Sequence, residues 1–228
     1  MFRFRSKQRI LKIGSIKIGG YPENPPVLIG TIFYHKHKIV SDPNSGVFDR
    51  EAAESLISSQ EALSEEVGIP ALVDVAGNTL EALTKYVDFV AGTTNKPFLV
   101  DVLSTNIMEG IAKYVAEVGL RDRVIINSIK AETSNRELKL LNEYKSRNVV
   151  VLLYTSQVAD ANYRVEALQR ILPRLGEIGI ETPLIDTFVV DPPSLVAATK
   201  AALHVKSLTG LPVGCGAHNA VSSSRKFF

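Results

Sequence analysis

The sequence predicts an α/β fold built on a parallel sheet, and three observations support this prediction. Short β-branched apolar runs alternate with helical segments along the 228 residues. The runs are apolar nearly throughout, as strands covered on both faces require. Several helical segments end on a glycine shortly before the next run, a common helix stop because glycine tolerates the left-handed conformation. Such units form a doubly wound sheet or a barrel, and their regular spacing favours a TIM-type (β/α)8 barrel.

Seven strands can be placed in order along the chain. They span residues 27–33, 71–75, 97–102, 123–127, 149–154, 183–187 and 212–215. Apolar residues at a spacing of three or four predict helices over 50–67, 80–91, 107–118, 135–145, 163–178 and 195–208. Residues 11–20 are predicted to form a hairpin that closes the floor of the barrel.

The domain organisation follows from this order. We expect one domain over residues 1–228, with residues 1–24 as an N-terminal hairpin extension. Because eight strands close such a barrel in about 250 residues, seven strands predict a barrel that lacks its last β/α unit. The barrel is then expected to be open or completed by a neighbour.

Composition excludes several classes of function. The net charge is +2 with both signs interspersed, so no nucleic acid partner is expected. Cys215 is the only cysteine, which excludes a disulfide framework and a cysteine-based metal cluster. No apolar stretch approaches the roughly 20 residues that span a bilayer, and the N-terminus does not resemble a signal peptide. We therefore expect a cytoplasmic protein without direct membrane insertion; attachment to a membrane complex is left open.

Polar residues follow the predicted strands at their carboxyl ends, where barrel enzymes carry their active sites. Leaving such groups buried and unpaired costs about 1–3 kcal/mol each, so a polar ligand with several donors and acceptors would satisfy them. Carboxylates and amides together suit a heterocycle such as a pterin, since a carboxylate accepts two parallel hydrogen bonds from an N–H/NH2 edge. The candidates are Asp74, Asp101, Asn127, Ser128, Asp186 and Asn219.

Several segments resemble a known family. They are PVLIGTIFY at 26–34 with HKIV at 37–40, FLVD at 98–101, INSI at 126–129, PLIDT at 183–187 and VGCGAHN at 213–219. With these segments the chain resembles the H-subunit family of tetrahydromethanopterin S-methyltransferase. More broadly, it resembles the pterin-dependent methyltransferases that act on corrinoid proteins.

The resemblance implies a pterin-binding barrel and a specific reaction. A methyl group would pass from N5 of methyl-tetrahydromethanopterin, or of methyl-tetrahydrofolate, to the Co(I) corrinoid of a partner protein. Pterin contacts would fall on Asp101, Asn127, Asp186 and Asn219, with Asn219 and Asp186 catalytic and with Asp74 and Ser128 as further pterin-binding residues. A corrinoid-binding protein, other subunits of a methyltransferase complex and a second copy in a homodimer are the expected partners. No tightly bound metal is expected.

Other interpretations stay open. The chain could be a non-catalytic pterin-binding or docking subunit, or another pterin-barrel enzyme. His35 and His37 could suggest a metal site, although His37 lining the rim is the favoured interpretation. Cys215, in an apolar run, is expected to be a small buried thiol. Tyr34 and Tyr154 end two strands and could stack on a pterin or pack against the protein.

Overall fold

The computed structural model describes residues 3–224, and its main feature is a curled sheet of seven parallel strands. The strands of the structure are β1 (Ile10–Ile13), β2 (Ile16–Gly19), β3 (Leu28–Ile32), β4 (Val40–Asp42), β5 (Val47–Phe48), β6 (Ala71–Val75), β7 (Phe98–Asp101), β8 (Val124–Ile129), β9 (Val149–Leu152), β10 (Leu184–Asp186) and β11 (Val213–Gly214). Strands β3, β6, β7, β8, β9, β10 and β11 lie side by side in chain order. All seven predicted strands are therefore confirmed.

Helices connect the strands of the sheet, as the apolar spacing predicts. They are α1 (Arg50–Val67), α2 (Leu80–Thr93), α3 (Thr105–Glu117), α4 (Asn135–Glu143), α5 (Ala161–Glu177), α6 (Pro192–Thr209) and α7 (His218–Ser224). Gly210 ends α6 with φ 71°, and a Cβ there would lie 2.0 Å from the carbonyl oxygen of Lys7. Glycine is required at this position for both its conformation and its size.

The strand register sorts side chains onto two faces, because successive residues of a strand point to opposite sides. One face is covered by the helices and includes Val73, Val100, Ile126, Val151 and Ile185. The other face lines the interior of the curled sheet with Leu72, Leu99, Ile125, Val150 and Leu184. Both faces are apolar, which explains why the strands lack a polar alternation.

The N-terminal hairpin closes one end of this interior. Strands β1 and β2 pair antiparallel, with Ile13 opposite Ile16. Ile13 is 2% exposed and packs with the interior side chains, and Ile16 and Ile18 pack against the same cluster. The predicted hairpin at the barrel floor is thereby confirmed.

The sheet curls without closing within the described residues. Strands β3 and β11 each have one neighbour in the sheet. Leu28 and Ile29 on β3 are consequently 58% and 48% exposed, although the matching residues of inner strands are buried. The predicted TIM-type barrel with seven strands and a leading hairpin is confirmed in this curled form.

Candidate functional site

Polar side chains occupy the carboxyl ends of the inward-facing strand positions. Asp74 lies two residues beyond Leu72, and Asp101 lies two residues beyond Leu99. By the same rule, Asn127 follows Ile125 on β8 and Asp186 follows Leu184 on β10. Since a step of two residues keeps a side chain on the same face, all four polar groups lie above the apolar interior.

Three of these groups are joined directly by hydrogen bonds. Asn127 Nδ2 donates to Asp101 Oδ1 at 2.8 Å and to Asp74 Oδ1 at 3.3 Å. Thr31 Oγ1 donates to the second oxygen of Asp74 at 3.0 Å. The structure therefore brings together Asp74, Asp101 and Asn127 as one cluster on β6, β7 and β8, with Thr31 on β3 beside it.

The pKa values of both carboxyl groups of this cluster are raised above those of exposed aspartates. Burial, followed by the charge of Asp74, raises the pKa of Asp101 to about 7. Burial also raises the pKa of Asp74, but the hydrogen bonds from Asn127 and Thr31 oppose that rise. Because Asp74 has more donors, Asp101 is the group that keeps a proton near neutral pH.

The hydrogen bonds decide which atoms of the cluster are available to a ligand. Both amide hydrogens of Asn127 are used within the protein, which leaves its Oδ1 as the acceptor for a ligand. Each oxygen of Asp74 accepts a hydrogen bond, and the residue is 5% exposed. Asp74 is thus saturated by protein donors, whereas Asn127 keeps its side-chain oxygen as an acceptor.

Asp186 lies on β10, separated from the cluster by one strand, β9. The backbone N–H of Phe188 donates to its Oδ1 at 2.8 Å. Burial raises the pKa of Asp186, while this hydrogen bond and the charge of His218 lower it. Burial is the largest of these effects, so the pKa of Asp186 lies above that of an exposed aspartate.

Asn219 lies on α7, the helix that follows β11. Its Nδ2 donates to the carbonyl oxygen of Val189 at 2.9 Å, in the segment after β10. Asn219 and Asp186 are thus connected through the segment 187–189, separately from the Asp101 cluster. Ser128, the remaining predicted site residue, is half-buried and follows Asn127 through a cis peptide bond.

One expectation about this end of the chain is wrong. Cys215 is exposed, whereas its apolar surroundings in the sequence predicted a buried thiol. The reason is that β11 spans only Val213–Gly214 at the edge of the sheet, so Cys215 lies beyond the strand.

The aromatic and histidine candidates lie at the same end of the sheet. Phe33 N donates to His37 Nδ1 at 3.1 Å, and the Tyr34 ring stacks on His37 at 4.3 Å between centroids. Tyr154 contacts Phe188 edge to face at 5.2 Å. Within residues 3–224, no group of three or more His, Cys, Asp or Glu side chains is arranged to hold a metal ion.

Two residues that the sequence interpretation missed support the site. Thr31 lies opposite Asp74 in the register of β3 and β6. A polar residue at an inward-facing position of an apolar strand was the sequence feature that could have identified it. Arg164 is fully buried, and it shares the apolar stripe of α5 with Leu168 and Ile171. A charged residue on an otherwise apolar helix face was the signal that could have identified it.

A curled parallel sheet with helices outside, an apolar interior and polar side chains at the strand carboxyl ends defines a barrel protein of the TIM class. A family model described as the tetrahydromethanopterin S-methyltransferase MtrH subunit matches residues 6–228. The chain belongs to this family. The family and the methyltransferase class that the sequence predicted are therefore confirmed.

Curated relatives agree with this assignment. The chain is 38% identical over 235 residues to the H subunit of tetrahydromethanopterin S-methyltransferase from Methanopyrus kandleri, covering 98% of this chain and 73% of the relative. It is 36% identical over 233 residues to the H subunit of a putative methyltransferase mtx from Methanosarcina mazei, covering 98% and 75%.

A solved structure supports the fold alone. Dihydropteroate synthase of Yersinia pestis superposes with a TM-score of 0.58 at 16% identity, covering 97% of this chain and 81% of that one. At this identity the likeness carries no statement about activity. No helix within residues 3–224 is both long enough and apolar enough to span a membrane.

Proposed function

We propose that this chain transfers the methyl group from N5 of methyl-tetrahydromethanopterin to the cobalt of a corrinoid held by a partner protein. The observation that carries the proposal is the hydrogen-bonded cluster of the half-buried Asp101 and Asn127 with the buried Asp74 at the barrel mouth. Two relatives cited above support the donor and the reaction class, since one is named for tetrahydromethanopterin and both are named as methyltransferases.

The cluster suits the pyrimidine edge of a pterin. The free Oδ1 of Asn127 accepts from a ring N–H or the exocyclic amino group. Asp101, whose pKa is raised to about 7, donates to a ring acceptor when protonated and accepts from an N–H/NH2 edge when ionised. Asp74 and Thr31 would fix the orientation of Asn127 without touching the pterin.

The methyl transfer requires a proton at N5. The bond between the methyl carbon and N5 breaks with its electron pair left on nitrogen, so protonation or a strong hydrogen bond at N5 must develop as the methyl departs. Asn219 is the candidate: one amide hydrogen is held by Val189, which leaves the second hydrogen for N5. Asp186, half-buried and with a raised pKa, would orient the ring or a water that delivers the proton.

The partner supplies the rest of the chemistry. Its corrinoid, as Co(I), would be the nucleophile that accepts the methyl cation equivalent. The relatives are named as subunits, which supports other subunits of a methyltransferase complex as partners. We include in the proposal a corrinoid-binding protein, which the reaction requires, and a homodimer. We also propose a cytoplasmic location.

Calorimetry with two methyl donors tests the proposal. Wild-type protein is titrated with methyl-tetrahydromethanopterin and with methyl-tetrahydrofolate, beside Asp101→Ala and the control Asp122→Ala. Asp122 is exposed and precedes β8 at the opposite end of the strand from the cluster. The proposal expects saturable binding of the first donor, lost in Asp101→Ala and kept in the control.

A transfer assay separates catalysis from binding alone. Free cob(I)alamin is the probe acceptor, and its conversion to methylcobalamin is followed by absorbance. Transfer that depends on Asn219 supports the methyltransferase. Tight binding without transfer to either free or protein-held corrinoid supports a pterin-binding subunit instead, and binding of neither donor by a cooperatively folded protein contradicts both.

A further inference from the structure

The fully buried Arg164 of α5 is not accounted for by the methyltransferase site as described so far. Its exposed fraction is 0%, and it begins the apolar stripe that continues through Leu168, Ile171 and Leu175. Burying a guanidinium is costly unless each N–H finds a partner, so the surroundings of Arg164 indicate its role.

Arg164 binds backbone carbonyls from two segments at the barrel mouth. From the segment between β9 and α5, Asp160 O accepts from Nη1 at 3.0 Å and Val158 O accepts from Nη2 at 2.7 Å. From the segment after β10, Thr187 O accepts from Nε at 2.7 Å and Phe188 O accepts from Nη2 at 3.2 Å. One side chain therefore ties together two of the loops that form the mouth.

The partners of Arg164 are carbonyl dipoles and not a carboxylate. Within residues 3–224, the Arg164 side chain forms no ion pair with a carboxylate at 4.0 Å or less. Burial lowers its pKa, and the charge of Asp160 partly opposes this. A planar fork of fixed N–H groups matches several carbonyls at once, whereas the single ammonium group of a lysine does not.

The bond to Thr187 has a geometric consequence for Asp186. In a trans peptide the C=O and the following N–H point in opposite directions. Because Arg164 takes the carbonyl of Thr187, the N–H of Phe188 points the other way, and it donates to Asp186 Oδ1 at 2.8 Å. Phe188 also has φ 59°, in the left-handed region, so the segment requires external support.

We propose that Arg164 is a positioning residue that orients the Thr187–Phe188 peptide so that its N–H holds the carboxylate of Asp186. The positive charge also polarises this peptide, which strengthens its N–H as a donor. The inference deepens the proposed function, since Asp186 is part of the proposed site.

Other charges around Asp186 define what the test must separate. His218 on α7 lowers the pKa of Asp186 by its charge, and the Asp186 charge in turn raises the pKa of Cys215. The strand partners of Asp186 are Leu152 on β9 and Gly214 on β11, which carry no charge. A change in the pKa of Asp186 after substitution of Arg164 is therefore assigned to the peptide only if His218 titrates as before.

The experiment compares Arg164→Lys and Arg164→Met with the matched control Arg170→Lys. Arg170 lies on the same helix, is exposed, and pairs with Glu132 at 3.2 Å. The carboxyl carbon of Asp186 is titrated by NMR in the pterin-free protein, and kcat/KM is measured against pH with methyl-tetrahydromethanopterin. The titration does not depend on activity, so failure of the proposed function and failure of this inference are distinguishable.

The inference predicts a rise of about one unit in the pKa of Asp186 in Arg164→Lys, because a hydrogen bond that favours the ionised form is lost. In Arg164→Lys the acid limb of the kcat/KM profile moves to higher pH by the same amount, and kcat/KM falls about tenfold. In the control Arg170→Lys, kcat/KM changes little. An unchanged pKa of Asp186 in a folded lysine variant overturns the inference. Failure of the lysine variant to fold also overturns it, since that outcome assigns Arg164 a structural role alone.

Discussion

Asn127 Nδ2 donates to Asp101 Oδ1 at 2.8 Å while its second hydrogen reaches Asp74 Oδ1 at 3.3 Å. One amide therefore bridges two carboxyl groups that come from different strands. Two like charges this close cannot both be ionised at low cost, so the bridge and the proton on Asp101 depend on each other. The side-chain oxygen of Asn127 is left as the acceptor for the proposed pterin.

Asp101→Asn is expected to stabilise the protein at alkaline pH. The folded pKa of Asp101 is about 7, above its ordinary value of 3.8. Its contribution to stability is therefore present below about pH 4 and is lost as pH rises to 7. Relative to wild type, the variant should gain on the order of 4 kcal/mol between pH 4 and pH 8, measured by urea unfolding, since one pKa unit corresponds to about 1.4 kcal/mol. An equal difference at both pH values would contradict the raised pKa.

Asn127→Ala is expected to weaken pterin binding more than catalysis. The variant removes an acceptor for the pterin and both donors to the carboxyl pair, which amounts to about 1–3 kcal/mol and hence roughly a tenfold or larger rise in KM. Steady-state kinetics measure the effect. Asn148→Ala is the control, since Asn148 lies before β9 at the opposite end of the strands and donates to Arg121 O. A similar rise in the control would refute a local effect.

Asn219→Ala is expected to lower kcat and leave KM nearly unchanged. The proposed hydrogen bond to N5 strengthens only as the methyl group departs, and the loss of such a donor costs about 10²–10³ in kcat. Single-turnover transfer to cob(I)alamin separates this step from product release. A rise in KM with normal kcat would place Asn219 in ground-state binding instead.

Thr31→Val is expected to lower the free energy of unfolding by about 1 kcal/mol, because the valine keeps the shape but removes the donor to Asp74. Urea unfolding at pH 8 measures the change. Thr84→Val is the comparison: its hydroxyl bonds within α2 to Glu81 O. If both variants lose the same free energy of unfolding, the hydrogen bond to Asp74 stabilises the protein no more than an ordinary hydroxyl bond within a helix.

His37 is expected to make the turn after β3 sensitive to acid. Its Nδ1 accepts from Phe33 N, and burial lowers the pKa of His37 below 6.5. The neutral ring therefore contributes stability that is present above about pH 6.5 and is lost as pH falls. His37→Ala should reduce the loss in Tm between pH 7.5 and pH 5.5, whereas His35→Ala should not. Identical pH dependence in the His37 variant and wild type would exclude this role.

Much of the fold follows from regular patterns in the sequence. Every strand of the main sheet is a short apolar run, and the polar residues at inward positions, such as Asp101 and Asn127, stand out against them. The elements that were missed are short. Strands β4 and β5 have three and two residues, and α7 has seven, so none offers enough repeats for a periodic signal.

The site was predictable only in part, because its remaining features depend on contacts between distant residues. Thr31 becomes recognisable only once β3 is placed beside β6. Arg164 acts on the segment after β10, 23 residues away in the chain. The proton on Asp101 likewise depends on burial beside Asp74, which no spacing in the sequence expresses.

The central claim is that the mouth of this barrel binds a methyl-pterin through Asp101 and Asn127. Isothermal titration of wild-type, Asp101→Ala and Asp122→Ala protein with methyl-tetrahydromethanopterin tests it most directly. The account predicts one saturable site in wild type and Asp122→Ala, with heat lost in a folded Asp101→Ala variant. Unchanged binding in Asp101→Ala, or none in wild type, would contradict it.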